Sequence, residues 1–359
     1  SVYDNVFLTG ATGFLGAYLL AELLGDPLRH VWCLTRTKGL DRIRSVLDGY
    51  GLWQTGWEDR IHPVTGDLSK PRLGLSDRDY AEIPNTGMIL HCAADVHHMK
   101  PYRALRDANV AGTVEILRLA AAGEGRPLHY LSTLSGLANP DKSYFDEQDR
   151  MVDQHPPKGG YNLSKWVAEQ LVQQAAGRGL PVSIYRVGSV SGHSETGHFN
   201  RTDILARLLQ GYLTSGIAPE GETLINVVPV DHAVALIITL AAQPTGQTWH
   251  ITHPHPVSSQ LLFDACASEG HDLTRVSQDI WRDHLAGIAR TNPDHPLFAL
   301  TDLAANFTAT RDWPFDCAAT LSASGFRQPP LNEALFRTYL QAFASAGAVP
   351  SPDKKEKTA

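Results

Sequence analysis

The sequence feature that most restricts the possible folds is a glycine-rich segment near the N-terminus. Gly10, Gly13 and Gly16 follow the apolar run 6–8 directly, and a helical pattern then extends to Leu24. Gly10 suits a tight turn, Gly13 allows backbone N–H groups to approach a pyrophosphate, and Gly16 allows the helix to pack closely on the strand. Because the strand before and the helix after are both present, the segment predicts a dinucleotide-binding site rather than an ordinary turn.

Strand-like apolar runs alternate with helical patterns through the first half of the chain. The runs lie at 6–8, 31–35, 61–64, 88–92, 128–131 and 182–185. This alternation predicts an α/β fold, a Rossmann doubly wound parallel sheet with helices on both faces. After Gly192 the alternation ends, and the rest of the chain predicts a smaller, mainly helical C-terminal substrate-binding domain.

The predicted domains are discontinuous in sequence. The Rossmann domain is expected over residues 1–190 and 226–252, and the substrate-binding domain over 191–225 and 253–348. The end of the chain is charged and lacks bulky apolar side chains, so residues 349–359 are expected to form a disordered tail.

Composition argues against several classes of partner. The chain carries 31 Lys and Arg against 38 Asp and Glu, a formal net charge of -7, so no nucleic-acid partner is expected. The longest apolar stretch, 233–242, is far shorter than the ~20 residues that span a bilayer, so no membrane segment is expected. The four cysteines lack metal-ligand spacing, and Cys33 and Cys92 lie in predicted strands, which favours a reducing, cytoplasmic location without a metal. Ser1 in place of Met indicates a processed N-terminus or a domain of a longer protein.

The end of the second predicted strand indicates which cofactor binds. NAD enzymes commonly place an Asp or Glu there to hold the ribose 2′-hydroxyl, whereas the segment 33–38 contains no acid. Arg36 presents a planar fork of N–H donors that suits a 2′-phosphate, and Arg42 could assist it. NADPH is therefore predicted, and the alternative is an exposed basic loop without a ligand.

Two further strand ends supply candidate cofactor contacts. Asp67 follows the third strand, where an acid can accept from the adenine amino group, although a simple turn aspartate is the alternative. Ala93 and Ala94 follow the fourth strand, and their small side chains leave room for a ribose against the backbone.

Tyr161 and Lys165 form the candidate catalytic pair. Their i, i+4 spacing places them on one face of a helix. A free tyrosine has a pKa near ~10, and a nearby ammonium favours the phenolate and lowers that pKa. Lys165 could also hold the nicotinamide ribose. An ordinary surface pair is the alternative for these two residues alone.

Thr133 strengthens the catalytic interpretation. It follows the strand 128–131 and therefore stands at the carboxyl edge of the sheet, where open α/β sheets bind their ligands. An ordinary turn hydroxyl is the alternative. Asn109 is a candidate for anchoring the active-site helix or a water chain, or else is a mid-helix capping residue.

The order of the glycines, Asn109, Thr133, Tyr161 and Lys165 resembles that of extended short-chain dehydrogenases. More narrowly, the chain resembles the terminal thioester reductase domains of nonribosomal peptide synthetases, with aminoadipate and carboxylic acid reductases as relatives. The matching stretches are 9–16, 33–36, 66–68, 109–113, 161–166 with Glu169, 185–188, and 315–343. The resemblance adds the remaining implied cofactor contacts, which are Thr12, Phe14, Leu15, Leu68, Val187 and Gly188.

The resemblance implies a reaction on an acyl or peptidyl thioester held on the phosphopantetheine arm of a carrier (thiolation) domain. Hydride would pass from NADPH to the thioester carbonyl carbon, while Thr133 and Tyr161 bind the carbonyl oxygen and Tyr161 donates the proton. The thiohemiacetal would collapse to an aldehyde, which some family members reduce again to an alcohol. The chain would then be a monomeric domain of a larger synthetase.

Other functions remain open from the sequence. A free acyl-CoA or carboxylic acid reductase differs only in what carries the acyl group. A nucleotide-sugar epimerase or dehydratase would place an acid after strand two, and Arg36 and Trp166 argue against it. A non-catalytic nucleotide sensor on the same fold is the alternative from another class. The helix predicted over 203–213 either fills the core or forms a lid over the pantetheine channel.

Overall fold

The predicted strands form one parallel sheet in the computed structural model, which describes residues 4–84, 87–97, 100–295, 297–298 and 313–349. Within these residues the sheet has seven strands, which are β1 (Asn5–Thr9), β2 (His30–Thr35), β3 (Ile61–Thr65), β4 (Met88–His91), β5 (Leu128–Thr133), β6 (Val182–Val187) and β7 (Thr248–Ile251). Their order is β7-β6-β5-β4-β1-β2-β3. The chain reverses direction across the sheet between β1 and β4, which is the Rossmann arrangement. The predicted fold class is confirmed.

The helices that belong with this sheet follow its strands in sequence. They are α1 (Phe14–Leu24), α2 (Asp41–Gly49), α3 (Asp77–Glu82), α4 (Tyr102–Arg106), α5 (Gly112–Ala121), α6 (Gly160–Gly177), α8 (Val230–Ala241) and α11 (Ala318–Ser324). Strands β4 and β5 are buried along their whole length, as expected for central strands covered on both faces. Phe7, Ile89 and Tyr130 of the sheet pack with Ile116 of α5 and Val172 of α6 in one apolar core.

Two strands extend by two residues beyond their predicted carboxyl ends, and the strand β7 was not predicted. β5 continues to Thr133 and β6 to Val187, because Ser132 and Thr133 pair in register with Arg186 and Val187. The unpredicted strand β7 pairs in parallel with β6 at the edge of the sheet. These extensions carry polar side chains to the carboxyl edge.

The chain divides into two compact units. The first contains Ser1–Gly188, Asp231–Thr252 and Pro314–Arg327, and the second contains Ser189–Val230, His253–Trp313 and Gln328–Ala359. The expected domains differ from these units in three segments: residues 189–190 and 226–230 belong to the second unit rather than the first, and Pro314–Arg327 belongs to the first rather than the second.

The backbone at Phe145 explains why that segment belongs to the first unit. The Phe145 N–H donates to Pro314 O (2.7 Å), and the Asp316 N–H donates to Phe145 O (2.8 Å). Glu147 accepts from both the N–H and the hydroxyl of Thr320, at 2.9 and 2.8 Å. Of the tail expected over 349–359, Val349 is buried, and residues 350–359 lie outside the described residues.

The second unit is mainly helical. Its described helices are α7 (Ile204–Ser215), α9 (Ser259–Ser268), α10 (Gln278–Thr291) and α12 (Glu333–Ser345). Short strands pair Val190–Ser191 with Val228–Pro229, Leu224–Ile225 with Val257–Ser258, and Ile217–Pro219 with Thr274–Val276.

Helix α7 begins where the sequence predicts. The Asp203 carboxylate caps it by accepting from the Ala206 N–H at 3.2 Å. Leu209 packs in one apolar cluster with residues of α9 and α12, and Leu208 packs in another with Trp281 of α10. Both faces of α7 therefore fill the core of the second unit, and the predicted lid role is untested.

Two further observations concern the environment of the chain. No helix among the described residues is long and apolar enough to cross a membrane. The four cysteines are free, and Cys33, Cys266 and Cys317 are buried while Cys92 is half-buried. The cytoplasmic location stays a prediction.

Candidate active site

The glycine segment forms a tight turn between β1 and α1. Gly10 has a φ of 85°, and the Gly13 N–H donates to Gly10 O at 3.0 Å. A Cβ at Gly16 would lie 1.8 Å from Gly10 O, and a Cβ at Gly10 would lie 2.9 Å from Ala93 N. The turn therefore tolerates no side chain at these two positions, and it lies directly against the segment that follows β4.

The N-terminus of α1 is accessible. Gly13 is exposed at the N-cap position, and Thr12, Phe14 and Leu15 are half-buried around it. The Phe14 ring packs edge-on against Tyr18 and Tyr50, with ring centroids 5.3 and 5.5 Å away. The free backbone N–H groups of a helix N-terminus attract anions, so this end of α1 can bind a phosphate.

The predicted adenosine contacts lie where β2 and β3 end. Asp67 accepts from the Ser69 hydroxyl at 2.7 Å and from the Ser69 N–H at 2.9 Å. These bonds lower the pKa of Asp67, and the Arg36 guanidinium contributes in the same direction, which places Arg36 near this carboxylate. Arg36 is exposed, and Arg42 is exposed in the first turn of α2. Half-buried Leu68 packs against Gly112, where a Cβ would lie 2.5 Å from Leu68 Cγ.

Lys165 is held inside the protein at the carboxyl end of β5. Its Nζ donates to the Leu131 carbonyl at 2.6 Å and lies 4.4 Å from the centre of the Tyr130 ring. Burial lowers the pKa of Lys165 to about 8, against the opposing effects of Cys92 and Glu169. Tyr130 was not predicted from the sequence, although it lies on the same strand as Thr133 and is therefore a neighbour of the candidate catalytic residues.

Tyr161 differs from its expected electrostatic state. Burial raises the pKa of Tyr161 to about 12, and the Cys92 thiol acts in the same direction. The sequence predicts that Lys165 lowers this pKa, whereas burial raises it, and the Lys165 ammonium is bonded to the Leu131 carbonyl. Cys92 precedes Ala93 and Ala94, and all three are half-buried at the end of β4.

Thr133 is the last residue of β5 and is nearly buried. Its hydroxyl accepts from the Ser135 N–H at 3.2 Å and so caps the short turn Leu134–Gly136. At the end of β6, Val187 and Gly188 are half-buried, and the Gly188 N–H donates to Ile251 O at 2.9 Å. Thr133 and Val187 thus stand side by side, paired in register.

Asn109 lies in a π-helical turn, Asp107–Ala111, between α4 and α5. Its side-chain Nδ2 donates to Ser164 Oγ (3.0 Å) and Asp95 O (3.1 Å), and its Oδ1 accepts from the Asp95 N–H (2.7 Å). Ser164 Oγ donates in turn to the Tyr161 carbonyl at 2.7 Å. Asn109 is thus a buried bridge to the helix that carries Tyr161, which agrees with the anchoring interpretation rather than with the alternative of a mid-helix cap. Ser164 was not predicted from the sequence.

A buried ion pair fixes α6 against the neighbouring strands. Arg186 of β6 and Glu169 of α6 are both fully buried, and Arg186 Nε and Nη2 donate to Glu169 at 3.0 and 2.8 Å. The Ser132 hydroxyl donates to the same carboxylate. Arg186 also donates to Asp149 O at 2.6 Å and to His250 Nε2 at 3.2 Å. Through Glu169, the helix that carries Tyr161 is bonded to Arg186 of β6 and to Ser132, the residue before Thr133 in β5.

The second unit contains a cavity of about 190 Å³. Aromatic and aliphatic side chains from α7, α9 and α10 make up much of its lining, including Leu208, Tyr212, Phe263 and Trp281. Among the described residues that line it, Glu220 is the one charged side chain. The cavity therefore suits an apolar group.

Similarity to known proteins identifies the family to which the chain belongs. The NAD-binding family described as Male sterility protein matches residues 8–237. The solved structure of the terminal R domain from the myxalamid PKS-NRPS biosynthetic pathway is 36% identical, with a TM-score of 0.91, and the match covers 98% of this chain and 93% of that chain. The chain belongs to the terminal reductase domains of nonribosomal peptide synthetases. The resemblance inferred from the motifs is confirmed, and the family indicates a nicotinamide cofactor.

Two further relatives place this reductase domain in context. A linear gramicidin synthase protein of Brevibacillus parabrevis is 38% identical over 291 residues, which are 78% of this chain and 6% of that protein. The chain spans between 6% and 23% of the length of the first three curated relatives it matches. A thiolation-reductase di-domain from an archaeal non-ribosomal peptide synthetase is 22% identical with a TM-score of 0.79, covers 96% of this chain and 76% of its own, and shares the fold.

Proposed function

We propose that this reductase domain releases a carrier-bound acyl or peptidyl thioester as an aldehyde, with NADPH as the reductant. The observation that carries the proposal is the placement of Tyr161 and Lys165 on α6, with Lys165 bonded to the strand that ends at Thr133. In a member of this family, that arrangement supplies a proton donor and a cation at the carboxyl edge of a Rossmann sheet.

The residues present fit NADPH. The exposed N-terminus of α1 suits the pyrophosphate, and exposed Arg36, with Arg42 on the next helix, suits the 2′-phosphate. Asp67 and Leu68 would bind the adenine. The remaining contacts in the proposed site are Gly10, Thr12, Gly13, Phe14, Leu15, Gly16, Ala93, Ala94, Asn109, Tyr161, Lys165, Val187 and Gly188.

When bound, NADPH supplies the hydride that the thioester carbonyl carbon receives. The hydroxyls of Thr133 and Tyr161 bind the carbonyl oxygen, where negative charge develops. Tyr161 then donates its proton to that oxygen, which gives the thiohemiacetal. Because burial raises the pKa of Tyr161 to about 12, the phenol keeps its proton at neutral pH and is ready to act as the acid.

Collapse of the thiohemiacetal breaks the C–S bond and releases the aldehyde and the carrier thiol. The carrier is a phosphopantetheinylated thiolation domain of the same synthetase, and the reductase domain acts as a monomer. The second unit binds the substrate, with its apolar cavity for the acyl portion. Two alternatives compete with this proposal. In one, a second hydride transfer reduces the aldehyde to an alcohol, and in the other the substrate is a free acyl-CoA.

The test compares one acyl group on coenzyme A, on pantetheine and on a loaded thiolation domain. A tethered substrate has an effective concentration of about millimolar, so the domain needs little affinity for free thioesters. We expect the highest kcat/KM on the carrier, with an aldehyde as the product by mass spectrometry. Equal kcat/KM on all three would move the assignment to a free acyl-CoA reductase, and no reduction of any would refute the proposed function.

A further inference from the structure

A line of buried hydrogen bonds runs from the end of β1 to the π-helical turn. The Ala93 N–H donates to Thr9 Oγ1 at 3.0 Å, and Thr9 Oγ1 lies 2.7 Å from His91 Nδ1. On the other side of the imidazole, His91 Nε2 lies 3.1 Å from Thr113 Oγ1, which donates to Asn109 O at 2.7 Å. Thr9, His91 and Thr113 are each at most 1% exposed, so water does not compete for these bonds.

The donors and acceptors in this line have one consistent assignment. Thr113 gives its proton to the Asn109 carbonyl, so it must accept from His91, which requires a proton on Nε2. His91 Nδ1 is then the acceptor, and it takes the proton of Thr9, whose oxygen accepts from Ala93. Each of these groups is satisfied only if His91 is neutral and protonated at Nε2. Burial, with Lys165 adding to it, lowers the pKa of His91 to about 3, which agrees with a neutral ring.

The line of hydrogen bonds ends at the backbone carbonyl of Asn109. The Thr113 hydroxyl bonds to the Asn109 carbonyl four residues earlier, which lies within the π-helical segment. This geometry directs the Asn109 amide at Asp95 and Ser164, and Ser164 bonds to the carbonyl of Tyr161. At its other end, Thr9 precedes the tight turn at Gly10 and holds the backbone of Ala93 against it.

We propose that Thr9, His91 and Thr113 are positioning residues that tie the nucleotide-binding turn to the helix carrying Tyr161, with His91 fixed as the neutral Nε2–H tautomer. These three residues set the orientation of the Asn109 side chain. Through its bond to Ser164, Asn109 in turn sets the orientation of the first turn of α6. The kinetic part of this inference rests on the proposed function, whereas the tautomer does not.

The direct test is the ¹⁵N spectrum of the full chain with ring-labelled histidine, in which the His91 signals are those lost in His91→Gln. At pH 7 we expect a neutral imidazole with its proton on Nε2. In Thr113→Val the Nε2–H loses its acceptor while Thr9 can still accept, so the Nδ1–H form should become populated. An imidazolium or an Nδ1–H ring in the wild type, or an unchanged tautomer in Thr113→Val, would overturn the proposal.

Kinetics distinguish positioning from plain stability. We expect Thr113→Val to lower kcat by about tenfold or more, at a thioester KM within about twofold of wild type, because orientation rather than binding is lost. Thr113→Ser keeps the hydroxyl and should restore most of the rate. The matched control is Thr239→Val, which deletes the same kind of hydroxyl-to-carbonyl bond (Thr239 to Ala235, 2.7 Å) on exposed helix surface and should leave kcat unchanged.

Equal kcat in wild type and folded Thr113→Val, or a loss that Thr113→Ser does not reverse, would refute the positioning role. If the wild-type domain reduces no thioester at all, the proposed function fails, and the tautomer measurement still decides on the hydrogen-bond line. The two hypotheses can thus fail separately.

Discussion

Replacing Arg186 with methionine should destabilise the first unit strongly. Arg186 is fully buried and donates to Glu169, to the Asp149 carbonyl and to His250. Methionine replaces the unbranched aliphatic part of arginine but has no donors, so it leaves the Glu169 carboxylate buried without its cation. Ser132 and Gln173 still donate to that carboxylate, but neither carries a charge.

The expected size of the effect follows from the burial of both partners. Removing one partner of a fully buried ion pair costs about 3–5 kcal/mol, because an uncompensated charge remains in the interior. For a domain of about 150–250 residues, each kcal/mol shifts Tm by about 2–4 °C, so Arg186→Met should lower Tm by about 6–20 °C. Differential scanning calorimetry of the full chain measures this shift.

The chain provides a matched control in the exposed pair Arg78–Glu82. Its N–O distance is 2.8 Å, the same as in the buried pair, but its side chains are 86% and 58% exposed. Arg78→Met should therefore leave Tm unchanged within error. Adding Glu169→Gln to Arg186→Met removes the orphaned charge and should recover part of the loss. If Arg186→Met has the same Tm as Arg78→Met, or if the double variant has no higher Tm than Arg186→Met, an orphaned buried charge is not the cause of the destabilisation.

The remaining predictions concern cofactor and substrate. Tyr161→Phe should lower kcat by about 10²–10⁴-fold with little change in the NADPH Kd, and a variant that keeps most of its activity would remove Tyr161 from the mechanism. Arg36→Ala should weaken NADPH about 10- to 100-fold while NADH changes much less, whereas equal losses in both Kd values would contradict 2′-phosphate recognition. Burial lowers the pKa of Lys165 to about 8, so the ammonium is lost and NADPH affinity should fall as the pH rises through 8. Lys165→Arg stays charged, so its NADPH affinity should show no such fall. Fluorescence titrations with NADPH between pH 7 and pH 9 measure both. Leu208→Trp narrows the apolar cavity and should lower kcat/KM for bulky acyl thioesters more than for acetyl thioesters. Equal losses of kcat/KM for both would show that the cavity does not select the acyl group.

Local patterns were sufficient to predict most of the sheet, because its strands are apolar runs and its helices have clear periodicity. β7 was missed because Thr248–Ile251 is short and contains His250, whose burial depends on partners distant in sequence. His250 Nε2 accepts from Arg186, and its Nδ1 donates to the Asp316 carbonyl at 2.6 Å. The same contacts bring Pro314–Arg327 into the first unit, which no local pattern indicates.

In the candidate site, the sequence identified groups that occur in short motifs and missed the groups that hold them. Tyr161 and Lys165 are four residues apart, so their shared helix face could be predicted. Thr9 and His91 are 82 positions apart, and their hydrogen bond depends on β1 and β4 being neighbours in the sheet. His91 ends an apolar strand and has no motif around it, so its role becomes visible only from the pairing of strands.

The pKa values of Tyr161 and Lys165 show why spacing does not determine chemistry. The i, i+4 spacing favours a lysine that lowers the tyrosine pKa, and a phenolate is the form needed to remove a proton from an alcohol. Burial instead disfavours charge on both groups, raising the pKa of Tyr161 to about 12 and lowering that of Lys165 to about 8. A neutral phenol is an acid, and the phenolate that remains after proton donation is unfavourable in the same environment and is reprotonated readily. The resting protonation state of Tyr161 is therefore that of a proton donor, which is the state that reduction of a carbonyl group requires.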